Sequence, residues 1–339
     1  AARVRTNKFS IYAQDEWSAT RNFKLTYGIR IDDMVFNNAD LMTNNAILAM
    51  DYNGRSIDTG TWPSANIIFS PRVGFTWDVL GDKSLKFRGG TGLFAGNLPL
   101  VFFTNMPTNS GMVQYQAQIN AASATKNGFS MDTFKGGLVT DANGNATIAA
   151  LYNKLVSLGY PETINPEDGT APSSISAVDP KFKMPQVWKT SLAIDYAIPV
   201  SFPLTVSVEG ILNKTLNAAS ISDWSVPSVG GFTRLNGVDN RPIYPAGYHQ
   251  GTKAFMLENT GRGYGWTFNA EVNARPTEFL SLMAAYTHTV NKEVTGMPGS
   301  NAESAFTYVP TVQGPNNIRL HNSQYVTPDR FIASATAHD

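Results

Sequence analysis

Apolar and polar residues alternate along eight stretches of this chain. They run Phe9 to Ser18, Phe23 to Asp32, Arg72 to Val79, Leu85 to Phe94, Trp188 to Ile198, Leu204 to Asn213, Tyr264 to Ala274 and Leu280 to Thr287. Successive side chains of a β-strand point to opposite faces, so a period of two predicts half-buried strands. Sorting by parity puts Ile11, Trp17, Leu25, Tyr27, Ile29, Phe75, Trp77, Leu192, Val206, Phe268 and Leu282 on one face. The other face takes Glu16, Lys24, Arg30, Asp32, Arg72, Asp78, Lys86, Arg88, Lys189, Asp195, Glu209 and Glu271, while the apolar face keeps one charge, Asp15. A one-residue slip would exchange the two sets, so register is strongly specified.

An antiparallel sheet with one greasy face fits a soluble sandwich, with that face inward, or a membrane barrel, with it turned to lipid. Connection lengths separate the two. Short links around Thr20-Arg21-Asn22, Leu80 to Ser84, Pro199 to Pro203 and Arg275 to Phe279 alternate with long ones over 33–71, 95–187, 214–263 and 288–328. Tight turns at one end and extended loops at the other are the rhythm of outer-membrane barrels, and structureless loops of that length count against a compact soluble domain. Trp17, Phe23, Trp77, Tyr196, Phe202 and Phe279 gather at the short-turn ends, and Trp188, Tyr264, Trp266 and Tyr286 toward the long-loop ends. Amphipathic rings at two levels suit two membrane interfaces.

The predicted fold class is all-β: an antiparallel meander of outer-membrane barrel strands, about 8–10 in number, with long extracellular loops. Residues 1–339 are expected to be a fragment of one transmembrane β-barrel domain, with the plug domain absent. Within the loops, Ile148, Leu151, Leu155 and Leu158 fall at helical spacing before Gly159 and Pro161, predicting a short amphipathic helix packed on the loop layer. Gly251 to Glu258 reads as an extra strand leading into the seventh, and Arg330 to Ala337 as a ninth strand cut off by the chain end.

Composition narrows the function classes. Lys+Arg and Asp+Glu are both 26, so the net charge is zero, which excludes a nucleic-acid binder held by bulk electrostatics. There is no cysteine, which removes thiol catalysis, disulfides and Cys-based metal sites. No apolar run is long enough for a helical membrane span. The N-terminus, Ala1-Ala2-Arg3-Val4-Arg5-Thr6, has no apolar leader core, so a secretory signal is expected upstream or already removed.

Motifs with possible chemistry each have a plainer reading. Gly90-Thr91-Gly92-Leu93-Phe94-Ala95 follows a strand and matches a dinucleotide fingerprint, but no following helix or βαβ alternation is expected. Glycines facing a crowded barrel interior, where small residues leave room for a plug, explain it better. His249, His288, His321 and His338 are scattered, with no metal-binding spacing. Asp51-Tyr52-Asn53-Gly54 and Asp141-Ala142-Asn143-Gly144-Asn145 open like calcium loops but lack the bidentate Glu at position twelve, and read as Asx-Gly turns. No nucleophile elbow or phosphate-binding loop occurs, so no enzyme, cofactor or metal is expected.

Four stretches carry a family likeness: Tyr12-Ala13-Gln14-Asp15-Glu16-Trp17, Leu25-Thr26-Tyr27-Gly28-Ile29-Arg30, Ser70-Pro71-Arg72-Val73-Gly74-Phe75 and Arg88-Gly89-Gly90-Thr91-Gly92-Leu93-Phe94. They resemble barrel strands of TonB-dependent outer-membrane receptors, Oar-like subgroup. The later hairpins fit more loosely, through Asn259-Thr260-Gly261 to Asn269 and Tyr286-Thr287-His288. The resemblance implies a large barrel, plugged by an N-terminal domain, that imports a scarce or bulky ligand across the bacterial cell outer membrane with energy passed from TonB. Its own plug domain and TonB would then act through parts missing from this chain, which departs from the family by lacking a plug, a TonB box and an aromatic-terminated last strand. A partial barrel has two unpaired edges that cannot face lipid, so this segment alone is not expected to transport.

The expected partners are outer-membrane lipid, on the apolar face, and an unknown ligand. Lumen-lining candidates are Glu16, Arg30, Asp32, Arg72, Asp78 and Arg88; the plainer reading is cross-strand ion pairs holding neighbouring strands together. Loop ligand-contact candidates are Trp62, Phe102, Phe103, Tyr115, Trp224, Tyr244, Tyr248 and Phe255, against self-packing of the loops. Two other functions stay open at this point: a soluble or surface β-sandwich binding glycan or protein, and a TonB-independent outer-membrane pore.

Overall fold

A computed structural model describes the chain apart from residues 1, 38–40, 65–66, 114–119, 127, 129, 131–138, 161, 163–164, 228–229, 231, 249–250, 310, 312, 315 and 339. The strands are β1 (Arg5–Ser18), β2 (Phe23–Asn37), β3 (Ile68–Asp78), β4 (Leu85–Ala95), β5 (Ser174–Val178), β6 (Gln186–Ala197), β7 (Leu204–Asp223), β8 (Lys253–Thr260), β9 (Tyr264–Thr277), β10 (Leu280–Glu293), β11 (His321–Asn322) and β12 (Asp329–Ala337). Antiparallel pairing runs β1-β2-β3-β4-β6-β7-β9-β10-β12, leaving β1 and β12 at the two edges of a sheet that does not close. All eight predicted strands are present, and the expected ninth is β12.

Register carries the parity pattern from strand to strand, with irregularities at the ends of two pairings, at Leu280 to Leu282 and at Gln186 to Val187. Ile11 lies opposite Ile31, Leu25 opposite Phe75, Ile194 opposite Val208, and Val206 opposite Val272. On the other face Arg30 meets Ser70, Lys86 meets Asp195, and Ser207 meets Glu271. The apolar face is bare: Ile11 is 69% exposed, Trp17 56% and Leu192 52%, while Leu25, Phe75 and Val206 are half-buried among strand neighbours. Among the described residues no second sheet covers it, which overturns the sandwich alternative. Burying such a face is worth roughly 25 cal/mol per Å² wherever it leaves water, so it calls for an apolar neighbour outside the described residues. No helix among the described residues is long and apolar enough to cross a membrane, which says nothing about a crossing made by strands.

The long connections depart most from expectation. Among the described residues they carry five α-helices, α1 (Asn45–Leu48), α2 (Val101–Asn109), α3 (Ala121–Lys126), α4 (Ile148–Ser157) and α5 (Ala302–Thr307), and they narrow because strands extend into them. β2 continues to Asn37, β7 to Asp223 and β10 to Glu293, so the loop boundaries at 33, 214 and 288 fall inside strands. The expected strand at 251–258 is β8, which leads into β9 across residues 261–263. It pairs antiparallel with the upper end of β7 and parallel with β5, an exception to an otherwise antiparallel sheet.

Together these segments form a cap with two buried cores. One packs Trp62, Phe102, Phe103, Met106, Phe182, Ile221, Phe255 and Leu257; the other packs Ile47, Tyr52, Ile57, Ile175, Trp224, Ala254 and Met256. β8 divides them: Phe255 and Leu257 point into the first and Ala254 and Met256 into the second. A strand buried on both faces needs apolar residues at consecutive positions, which is why Ala254-Phe255-Met256-Leu257 shows no alternation. Asn44 ties the connection after β2 to two points of the connection after β4. Its Oδ1 accepts from the Ala46 and Ile47 amides at the start of α1, and its Nδ2 donates to the Ser110 and Thr170 carbonyls, 3.0 Å each.

Helix α4 forms as predicted, with the Thr147 hydroxyl accepting from the Ala150 amide, but it packs only in part: Ala150 is buried and Leu155 and Leu158 are half-buried. Ile148 is 89% exposed, and Leu151 and Tyr152 face solvent with it.

Candidate functional site

The polar face of the sheet and the cap above it hold the described lumen and loop candidates, and charge is arranged differently along the height of the face. Toward the short turns, Lys24 Nζ meets Glu16 at 2.8 Å. One level up, Arg88 bridges Asp195 on β6 at 2.9 Å and Glu209 on β7 at 3.4 Å, and the Ser207 hydroxyl donates to Asp195 at 2.8 Å. Near the cap, Asp32 is buried; it accepts from the Arg30 guanidinium at 2.9 Å and from the Ser10 hydroxyl at 2.6 Å, with Lys8 Nζ at 3.7 Å. For Glu16, Arg30, Asp32 and Arg88 the pairing within and between strands that the plainer reading describes is present.

Asp78 and Arg72 behave otherwise. The Asp78 carboxylate accepts the Gly81 and Lys83 amides and closes the β3–β4 turn, so it caps a turn and does not line a lumen. Gly81 and Lys83 both have positive φ there, 80° and 68°, and the carboxylate holds that bend. Arg72 makes no ion pair among the described residues; its guanidinium lies 4.4 Å over the Phe94 ring. Beside it, the glycine run sits inside β4, and a short helix, α2, does follow it, contrary to expectation. The run is not a turn onto that helix. A Cβ on Gly90 would stand 2.8 Å from the Val73 carbonyl oxygen, and one on Gly28 would stand 2.6 Å from that of Ala13. Close approach of neighbouring strands requires these glycines, without any plug.

The loop aromatics are mostly structural. Phe103 has no exposed surface and packs between Phe36 at 4.8 Å and Phe182 at 5.7 Å; Trp62 stacks on Phe36 at 5.2 Å and donates its indole N–H to the Asn37 carbonyl. Phe102 and Phe255 are buried in the same core, and Trp224 is covered by the Arg55 guanidinium 4.2 Å above its ring. None of these five offers a ring to a ligand in this conformation. Tyr244 and Tyr248 are half-buried, in a cluster with Phe232, and burial pushes both phenols up. Tyr52 is wholly buried, and its phenol is pushed up to about 12, first by burial and then by the charge of Asp223. Tyr115 and His249 lie outside the described residues.

The two acidic loops are Asx turns: the Gly54 amide donates to Asp51, and the Asn143 and Asn145 amides to Asp141. No cluster of metal-ligating side chains occurs among the described residues.

At the cap end the polar face opens into a cleft of about 830 Å³ that brings together Lys189, Arg262, Lys292 and Arg330, with Glu293 the one carboxylate. Parity already placed Lys189 on the polar face. Arg262 lies in a connection, and only the fold brings it there.

A sequence model of the outer membrane beta barrel domain family matches residues 1–338. Among curated proteins, none matches the sequence. Solved structures similar to the chain include the siderophore receptor PirA from Pseudomonas aeruginosa (9% identity, 84% of this chain and 34% of that one, TM-score 0.38). Others are the FrpB iron transporter from Neisseria meningitidis, F5-1 variant (10%, 85% and 27%, TM-score 0.39) and the outer membrane transporter YddB from Escherichia coli (11%, 85% and 24%, TM-score 0.39). The chain thus spans about a third or less of the length of these structures.

Proposed function

The chain belongs to the outer membrane beta barrel domain family, and on that footing we propose that it is barrel wall and cap of a TonB-dependent receptor, importing a scarce or bulky ligand across the outer membrane. Its place is the outer membrane, where the apolar face of β1 to β12 meets lipid. The observation that carries the receptor reading is the cap. An open passive pore has no use for loops folded into two buried cores over the end of its polar wall, whereas a receptor that must recognise before it admits has every use for them. The Oar-like subgroup, a plug domain, coupling to TonB and the ligand itself belong to this proposal, supported by the likeness of the four N-terminal strand stretches. The polar wall's paired charges fit a scaffold that holds strands and offer no constellation for catalysis.

The open edges of β1 and β12 require further strands, because unpaired backbone N–H and C=O groups cannot face hydrocarbon. The test uses the complete protein in cells. Ligand uptake should collapse when a protonophore discharges the inner membrane, and a planar bilayer holding the protein should stay closed. Uptake indifferent to the protonophore, or steady open-channel conductance, would establish the passive pore instead.

A further inference from the structure

We propose that the cap-end cleft of the polar wall binds a small oxygen-rich polyanion, a polycarboxylate or a phosphate ester; this deepens the receptor reading and rests on it. Four cations, Lys189, Arg262, Lys292 and Arg330, line the cleft against the single carboxylate of Glu293. Lower on the same wall, Lys24 and Arg88 are matched by carboxylates at 2.8 to 3.4 Å. In the cleft the matching stops. Among the described residues Lys189, Lys292 and Arg330 make no ion pair, and the Arg262 guanidinium donates to the Ile318 carbonyl at 2.7 Å with no carboxylate beside it. Like charges gathered in one concavity oppose folding by mutual repulsion and focus a positive potential into it. A wall that meets Lys24, Arg30 and Arg88 with carboxylates elsewhere has a reason to leave these four unmatched if an anion completes them.

The floor of the cleft is built for such a ligand. Lys189, Asn213, Gly265 and Asn291 form one cross-strand row through β6, β7, β9 and β10, and Arg330 on β12 lies opposite Thr287. Gly265 leaves the middle of that row open, because a Cβ there would stand 2.8 Å from the Asn213 amide nitrogen and 2.9 Å from the Val290 carbonyl oxygen. Amides and hydroxyls flank the cations, and such groups hydrogen-bond the oxygens of a ligand whose charges the Lys and Arg side chains meet. About 830 Å³ is the volume of a small-molecule site.

Citrate and pyrophosphate are the probes, titrated calorimetrically into the complete protein in a neutral detergent. Both should bind at low salt, release as ionic strength rises and ignore competition from glycerol, which has the hydroxyls without the charge. The double variant Lys189→Gln, Arg330→Gln should weaken binding at least about tenfold, since a charge-assisted hydrogen bond is worth about 1.5–3 kcal/mol. Lys83→Gln, in the β3–β4 turn, should leave it unchanged. Absence of binding by the wild-type protein, or equal affinity in the double variant, overturns the assignment; the first result would mean that another segment of the protein already neutralises the cleft. Should the double variant fail to assemble, salt-insensitive or glycerol-competed binding by the wild type overturns it just as well. The two readings fail separately: energised uptake without probe binding sinks the cleft alone, and probe binding with uptake indifferent to the protonophore sinks the receptor alone.

Discussion

The lower and upper parts of β7 use the same alternation for opposite purposes. From Leu204 to Lys214 the strand pairs with β9, its even positions Leu204, Val206, Val208 and Leu212 face outward, and its odd positions Ser207, Glu209 and Asn213 face the polar side. From Ala218 to Asp223 it pairs with β8, and now the odd positions Ala219 and Ile221 are the apolar ones, buried in the cap core. β2 makes the same exchange: Arg30 and Asp32 are followed on the same face by Met34 and Phe36, which pack against that core. On the proposed reading the wall has hydrocarbon as the neighbour of its greasy face, whereas the cap has protein. The point where the pattern inverts marks where the surroundings change.

If the cap is an ordinary close-packed core, removing its most enclosed ring should cost most. Phe103→Ala should destabilise the cap by about 3–5 kcal/mol, as deletion of a buried aromatic does. The wall should still assemble, because the ring meets Phe36 at the upper end of β2 and takes no part in the strand pairing below. Hydrogen exchange resolved by segment checks both parts: protection should fall in α2, β5 and β8 and persist in β3, β4 and β6. Loss of the wall along with the cap would erase the distinction between the two regions.

The wall's own rule is sharper and smaller in scale. Val206→Arg places a charge on the lipid side and should cost about 2–4 kcal/mol at midplane depth, blocking assembly, whereas Ser207→Arg, one residue on, should be tolerated. Heat-modifiable gel mobility of the membrane-inserted protein reads the difference, and equal behaviour of the two would break the assigned facing. Arg88→Gln comes next. It leaves Asp195 and Glu209 unmatched on adjacent strands, but all three side chains are partly solvated, so a loss of about 1 kcal/mol is expected, shrinking at 1 M salt. A urea midpoint measured at both salt concentrations tests it.

These contrasts also explain what could be read before the fold was seen. The wall was legible because lipid on one side and water on the other impose a strict period of two, so Ile11, Val206 and Leu282 were placed by parity alone. The cap was not. Phe103 and Trp62 read equally as ligand contacts or as core, since an aromatic in a long connection has no periodic neighbours to say which. The Ala254 to Leu257 run announced burial on both faces without naming what buried it. Among the wall charges, parity placed Arg88 and Lys189 on one side but could not distinguish a paired cation from an unpaired one. That difference lies in which strands become neighbours: Asp195 and Glu209 reach Arg88 only because β6 and β7 follow β4 in the sheet. Asp78 misled because a carboxylate on the last residue of a strand has the turn's own amides within reach, and these outcompete the lumen.

The smallest effect at neutral pH separates the regions by titration. Tyr52 is enclosed in the second core, where its hydroxyl finds only the Met50 sulfur at 3.5 Å, so Tyr52→Phe should be nearly neutral at pH 7. Its phenol titrates at about 12 in the folded cap against an ordinary 10.0, because burial disfavours the phenolate. Above pH 10 the unfolded chain releases this proton while the folded cap retains it. Fewer protons bound in the unfolded state mean that stability falls as pH rises, so the contribution is complete below about pH 10 and is lost progressively toward 12. Segment-resolved exchange at pH 9, 10 and 11 should show α1 and β8 loosening in the wild-type protein and much less so in Tyr52→Phe, with β6 unmoved in both. If the variant loosens along the same curve, Tyr52 is not what makes the cap alkali-sensitive, and the second core is less tightly closed than its packing indicates.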